Sequence, residues 1–154
     1  MRALSLWQPH AQAIALGLKP WETRDWPTRY RGPLAIHAAK RPFIETDGWF
    51  HDARVKLQNA GCPRLAYGAI VCVAELVDCV PTRELRGVIP SEAEFWGDFS
   101  DGEMGAGRFA FRLTSVVALP HPVMVRGKQG FFDVPLPEFQ RDTATLSLFG
   151  EGLL

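Results

Sequence analysis

The chain has 154 residues, 47% of them hydrophobic, and no net formal charge. That length fits a single domain able to bury roughly two-thirds of its unfolded surface, and neutrality excludes a protein that gathers polyanions through its bulk field. No run approaches the ~18 apolar residues of a membrane-spanning helix, and Gln8, Pro9, His10 and Gln12 interrupt the first apolar residues before a signal-peptide core can form, so the sequence reads as soluble, cytoplasmic and without a membrane partner.

Residues 2–6, RALSL, have the pattern of a short first strand. Pro9 suits the first turn of a helix, where its missing N–H costs nothing. Ala11, Ile14, Ala15 and Leu18 then recur on one helical face, and Gly17 with Pro20 marks the end, which delivers Lys19 into a turn. WETR, residues 21–24, fits a short strand that places Glu22 and Arg24 on one side and Trp21 and Thr23 on the other. WPTRYRG, residues 26–32, is a loop, and PLAIHAAK is a strand with Leu34, Ile36 and Ala38 on one face and Ala35, His37 and Ala39 on the other.

A second helix is expected after Asp47, a capping residue, with Trp49, Ala53 and Leu57 on its buried face and Gly61 as its stop. YGAIVCVAELVDCV, from Tyr67, is the longest apolar run, β-branched and strand-like, with Glu75 embedded in it. Residues 84–103 carry six acids against Arg86 alone and are rich in glycine, the composition of a long surface excursion. GRFAFRL, residues 107–113, alternates with Phe109, Phe111 and Leu113 inward and Arg108, Ala110 and Arg112 outward. TSVVALPHPVMV continues as extended chain broken by Pro120 and Pro122, and RGKQGFFDVP is a basic turn entering a last strand. From Leu136 the tail lacks a clear period.

Strands dominate and do not alternate with crossover helices, so the expected architecture is α+β: a curled or barrel-like, mostly antiparallel sheet with two flanking helices. Cys62, Cys72 and Cys79 match no zinc spacing and read as buried thiols of a reducing compartment. There is no phosphate-binding loop, dinucleotide fingerprint, H-E-x-x-H or G-x-S-x-G motif, which sets aside nucleotide triphosphate chemistry, metal hydrolysis and the usual serine hydrolase, and implies neither cofactor nor metal.

The charge is local. Residues 1–41 hold seven Lys/Arg against Glu22 and Asp25, interleaved with Trp7, Trp21, Trp26, His10 and His37. Cations of this kind meet phosphates while an exposed aromatic stacks a base. The expected contact set is Trp7, Gln8, Arg24, Tyr30, Arg31, Lys40 and Lys128, with Trp26 a further aromatic candidate. Lys19 beside Glu22 could form a proton-transfer pair, because desolvation lowers a lysine pKa while a neighbouring acid tunes it the other way. With His37 these residues form the candidate catalytic group, and a turn salt bridge between Lys19 and Glu22 is the plain structural alternative.

The stretch SLWQPHAQAIALGLKPWETRDWPTRYRGPLAIHAAK resembles the signature of the ASCH domain, the activating signal cointegrator homology family of the PUA-like superfamily: Q-P, a helix ending in G-x-K-x-x-E-x-R, then Y-R-G and an I-H-A-A-K strand. YGAIVCVAELVDC, GRFAFRL and RGKQGFFDVP extend the likeness over roughly residues 1–137, leaving 138–154 as a C-terminal extension. The resemblance implies a small PUA-like β-barrel with flanking helices and a cleft for nucleic acid, foremost single-stranded RNA, or for a nucleoside. Members are described as RNA- or DNA-binding modules, some as ribonucleases. One branch hydrolyses the acetyl amide of acetylated cytidine with a Lys, a Thr three residues later and a downstream Glu. Lys19 matches the first; Glu22 stands where the Thr would be, with Thr23 next to it, and Glu75, Glu92 or Glu94 could be the acid. A carboxylate cannot replace a hydroxyl nucleophile without changing the mechanism. Three readings stay open: an RNA- or nucleic-acid-binding module, an enzyme that acts on RNA as a metal-independent ribonuclease or on an acetylated cytidine nucleoside as an amidohydrolase, and a non-catalytic protein-interaction module using the acidic 84–103 segment.

Overall fold

The computed structural model describes residues 1–62 and 64–136. Its framework is one six-stranded sheet built from β1 (Arg2–Leu6), β2 (Trp21–Arg24), β3 (Gly32–Ala38), β4 (Ala69–Pro81), β5 (Phe109–Met124) and β6 (Phe131–Asp133), in the order β2-β5-β4-β3-β1-β6. All neighbouring pairs are antiparallel except β1 and β3, which run parallel with Ser5 opposite His37. The expected α+β, mostly antiparallel, PUA-like architecture is what the chain adopts. The expected C-terminal extension, 138–154, lies outside the described residues.

The sheet curls because its two long central strands do not keep step. β4 and β5 shift register three times, and in one of these bulges β5 advances from Ala118 to Val123 while β4 moves only from Cys72 to Ile70. Pro120 and Pro122 fall within that excess, where no ladder N–H is required of them. The expected break is therefore a bulge inside one continuous strand. A second bulge holds Ser115 at φ +50°.

The edges of the curl are joined by aromatic packing. Trp26, in the loop after β2, meets Phe111 of β5 and Phe131 of β6 edge-on, both at 5.2 Å between ring centroids, and those two rings stack at 6.3 Å. Phe111 faces inward as expected, but Ala110 is fully buried too, because β5 is covered on both faces. Alternation along β3 also separates two interiors. Leu34, Ile36 and Ala38 pack with Leu4, Leu6 and Ile14, whereas Ala35 joins Ala3, Ile70, Val73 and Phe132.

Helix α1 (His10–Ala15) is short, ends at Gly17 with φ +77°, and sends the Leu18 and Lys19 N–H groups back to the Ala13 carbonyl. Helix α2 (Gly48–Asn59) starts where Asp47 accepts from the Trp49 and Phe50 N–H groups, as the sequence predicts. Residues 84–103 depart from the expected surface excursion. Their acids are mostly exposed, yet the segment carries a short helix, α3 (Ser91–Glu94), and buries Ala93, Trp96 and Phe99. Trp96 packs with Ala13 of α1 and Ala53 and Leu57 of α2, so the segment is a structural layer over α1. Of the cysteines only Cys72 is fully buried, while Cys62 and Cys79 are half-buried. Among the described residues no helix is long and apolar enough to cross a membrane.

Because Trp26 joins two strands that share no hydrogen bonds, Trp26→Ala should destabilise the fold by about 3 kcal/mol, the low end for loss of a large aromatic at a half-buried site. A urea denaturation midpoint unchanged from wild type would show that the edges close without it.

Candidate functional site

Two concavities meet at Ser5, Trp7 and Arg24, where β1 and β2 approach one another. The larger, an open cleft of about 1280 Å³, runs past Lys40 and Gly68 to the turn Arg126–Gly130. The smaller, of about 360 Å³, lies under Trp96, Gly97 and Asp98 and is lined by His10, Lys19, Glu22, Thr23 and Arg108.

The small pocket concentrates buried polar groups. Lys19 is only 2% exposed, and its Nζ donates to the Trp96 carbonyl. Burial pulls its pKa below the ordinary lysine value; Glu22 opposes that shift, and the charges of Arg24 and Arg108 add to it. Glu22 is 7% exposed. Its Oε1 accepts from the Thr23 N–H at 3.0 Å and faces Arg24 Nε at 3.7 Å, while Oε2 is buried without a hydrogen-bond partner. His10 Nδ1 is likewise enclosed and unpartnered. Burial, reinforced by Lys19, pushes the His10 pKa down to about 4, against the pull of Glu22 and of the nearby Trp96 carbonyl. Buried polar atoms left without a partner cost about 1–3 kcal/mol each, and this pocket holds two of them.

The roof is pinned to β2. Asp98 N–H donates to Thr23 Oγ1 at 3.0 Å, and Arg108 donates to the Asp98 carbonyl at 3.2 Å and the Thr23 carbonyl at 3.3 Å. Gly97 leaves no space for a side chain: a Cβ there would lie 2.6 Å from Phe99 Cε2 and 3.1 Å from Thr23 Cγ2.

The large cleft is basic, with Arg24, Lys40, Arg126 and Lys128 facing Asp25 as its one acid among the described lining residues. Trp7 stands at its junction with the pocket, 59% exposed, with the Arg41 guanidinium 3.7 Å from its ring centroid. His37 forms part of the floor. A carbonyl can only accept, so the 2.9 Å contact with Val125 places the proton on Nε2; Nδ1 then accepts from Ser5 Oγ at 2.9 Å. Burial lowers the pKa of this ring and the Val125 bond opposes it. Gly127 closes over it, since a Cβ there would come within 2.5 Å of His37 Cε1.

The structure thus unites Lys19, Glu22 and Arg24 in the pocket and Trp7, Arg24, Lys40 and Lys128 along the cleft, but His37 sits in the cleft and not with Lys19 and Glu22. The other expected contacts lie elsewhere. Both ends of the Gln8 amide are used internally, donating to the Ala66 carbonyl and accepting from the Gln12 N–H. Tyr30 donates to the Pro33 carbonyl and packs on Phe131. Arg31 donates to the Thr28 and Tyr30 carbonyls and faces Asp78. Sequence reasoning missed His10, Trp96, Gly97, Asp98, Arg108 and Arg126. Aromatic residues at 95, 96 and 99 inside an acidic stretch were the available signal for the roof. Among the described residues no cluster of three or more His, Cys, Asp or Glu side chains is arranged to hold a metal ion.

The sequence profile of the ASCH domain matches residues 4–103, well over half of the chain. The chain belongs to the ASCH domain family. No curated protein matches it in sequence. Among solved structures, ASCH from Zymomonas mobilis superposes with a TM-score of 0.59 at 18% identity, covering 96% of this chain and 94% of that one. Two single-substitution variants of the same protein give 0.53 at 16% identity, covering 96% of each chain, and 0.52 at 18%, covering 96% and 94%. At these identities the likeness is one of fold, and it spans the ASCH profile together with β5 and β6 beyond it.

The titration of His10 has a stability consequence of definite sign. Its folded pKa of about 4 lies below the ordinary 6.5, so between those values the unfolded chain binds a proton that the folded chain refuses. Stability should fall as pH drops through that window, by on the order of 3 kcal/mol when complete. His37 contributes with the same sign. In urea denaturation from pH 7 to pH 4, His10→Gln should lose less stability than wild type, and parallel pH profiles for the two proteins would refute the assignment.

Proposed function

We propose that this ASCH domain binds single-stranded RNA, with the phosphate backbone along the cleft and one base turned into the small pocket. The observation that carries the reading is the junction of the two concavities at an exposed Trp7, with cations on the cleft side and a pocket lined by Lys19, Glu22 and Thr23 on the other. Lys40, Arg126 and Lys128 are exposed and suit phosphates, which attract cations without regard to sequence. Trp7 suits stacking, because its ring is held by Arg41 and every base has a π-face to offer. A duplex buries the base edges that the pocket would need, whereas a single strand can splay one base out. The association of the ASCH family with RNA binding agrees with this reading. His37 acts in it as a positioning residue, tying Ser5 to the Val125 carbonyl beside the basic turn.

One observation favours a second reading, in which the pocket also turns substrate over. Lys19 is buried in the same pocket as the Glu22 carboxylate, with its pKa lowered by desolvation, the environment in which a lysine exchanges protons more readily. Lys19 and Glu22 are then the proton-transfer pair for metal-independent cleavage of RNA or hydrolysis of an acylated base. The Glu22 carboxylate and Thr23, whose hydroxyl oxygen is occupied by the Asp98 N–H, make an acyl transfer through threonine the less suited of the two.

Fluorescence anisotropy with a labelled single-stranded RNA 12-mer tests the binding reading. Affinity should fall steeply with salt. Lys40→Ala, Arg126→Ala and Lys128→Ala should each weaken binding and reduce the slope of log K against log salt by about 1, and Trp7→Ala should cost about 1–3 kcal/mol. Binding indifferent to salt and to all four substitutions would sink it. Product formed in the presence of EDTA and lost in Lys19→Met would add the catalytic step.

A further inference from the structure

Four strands of the sheet finish in a row along the large cleft. Leu6 of β1 stands beside Ala38 of β3, Ala38 beside Ala69 of β4, and Ala69 beside Met124 of β5. Main-chain bonds carry the row one residue further: the Ala39 N–H donates to the Leu6 carbonyl at 2.8 Å, Gly68 to Ala38 at 2.7 Å and Val125 to Gly68 at 3.2 Å. Trp7 therefore stands at one end of the row and Met124 at the other, and both line the cleft. Trp7 is 59% exposed and Met124 71%, and of the large hydrophobic side chains exposed among the described residues only these two line it. Lys40 lies between them. Gly68, at φ +66°, leaves room for its stem, since a Cβ there would come within 3.1 Å of Lys40 Cγ and Cε. The lysine thus crosses from the end of β3 onto the start of β4, which delivers its ammonium to the middle of the row.

We propose that single-stranded RNA crosses the ends of β1, β3, β4 and β5, with one base on Trp7, a second on Met124 and an intervening phosphate on Lys40. The inference deepens the RNA-binding reading and rests on it for the nature of the ligand. A single exposed apolar residue is ordinary on a protein surface, but two at the ends of a row with a cation between them match the alternation of bases and phosphates along a strand. Methionine suits such a contact because its thioether is polarizable and gains from lying against an aromatic ring. From β1 to β5 is three strand steps, on the order of 14 Å, several times the ~3.4 Å rise of a stacked strand. The two bases are then splayed apart and not stacked on one another, which a single strand permits and a duplex does not. Arg126 and Lys128, in the turn that follows Met124, continue the phosphate track beyond the second base.

The test measures the anisotropy of two labelled probes against the full-length protein over a range of salt: a single-stranded RNA 12-mer, and a 12-mer with the same ribose-phosphate backbone but no bases. Met124→Ala should weaken the base-bearing probe about three-fold or more without changing the slope of log K against log salt, because an apolar contact releases no counterions. It should leave the abasic probe unchanged, and Met124→Trp should tighten the base-bearing probe by a similar factor. Combined with Trp7→Ala, the loss should be the product of the two single losses, as for contacts too far apart to couple. Met104→Ala, at a fully exposed methionine outside the cleft, should change nothing. Met124 is itself exposed, so its replacement opens no cavity in the core. If RNA binds and Met124→Ala matches wild type, or weakens both probes alike, the proposed path is overturned and the RNA-binding reading stands. If neither probe binds the wild-type protein, the RNA-binding reading fails and the path fails with it.

Discussion

A buried amino group has to be met by an acceptor, and Lys19 meets its own in the main-chain carbonyl of Trp96, 77 residues along the chain. Much of the site follows from that bond. It draws an otherwise acidic segment down over α1, where Trp96 fills the space between α1 and α2. Thr23 and Arg108 complete the attachment from β2 and from the residue that precedes β5. The pocket exists because the roof is held at its edges by hydrogen bonds and by one packed indole, leaving the groups between them enclosed and unmet.

The cleft and the pocket are built on different principles. Along the cleft the cations stand in solvent, on the end of β3 and on the turn before β6, and their attraction for phosphate is additive and screened by salt. The pocket walls are formed by buried side chains, where the surroundings are less polar than water and each hydrogen bond weighs more. Trp7 and Arg24 belong to both.

Local elements were legible in the sequence wherever one residue sufficed to set them: Asp47 as a cap, Gly17 as a stop, the alternation of β3. Lys19, Glu22 and Arg24 were legible as a group because a short strand following a helix stop puts them close together. The rest depended on distant contacts. Trp96 sits among acids and glycines, so composition alone assigns it to solvent. His37 looked like a free imidazole, and only the parallel pairing of β1 with β3 shows that Ser5 stands opposite it and satisfies its Nδ1. Tyr30 and Arg31 stand out in the sequence as aromatic and basic, and only the structure shows that the Tyr30 hydroxyl and one Arg31 nitrogen donate to carbonyl groups within a few residues.

The bulge at Pro120 and Pro122 bears on how the molecule behaves in company. β2 covers β5 only along Phe109–Arg112, so the outer edge of β5 beyond Leu113 has no strand beside it among the described residues. Such an edge is a template on which a second chain can add a strand. Both prolines are exposed on that stretch, and neither carries an N–H to offer an incoming backbone. With Ser115 also bending the strand nearby, the open side of the barrel is poor ground for strand addition, and the protein can leave its sheet unclosed without inviting self-assembly.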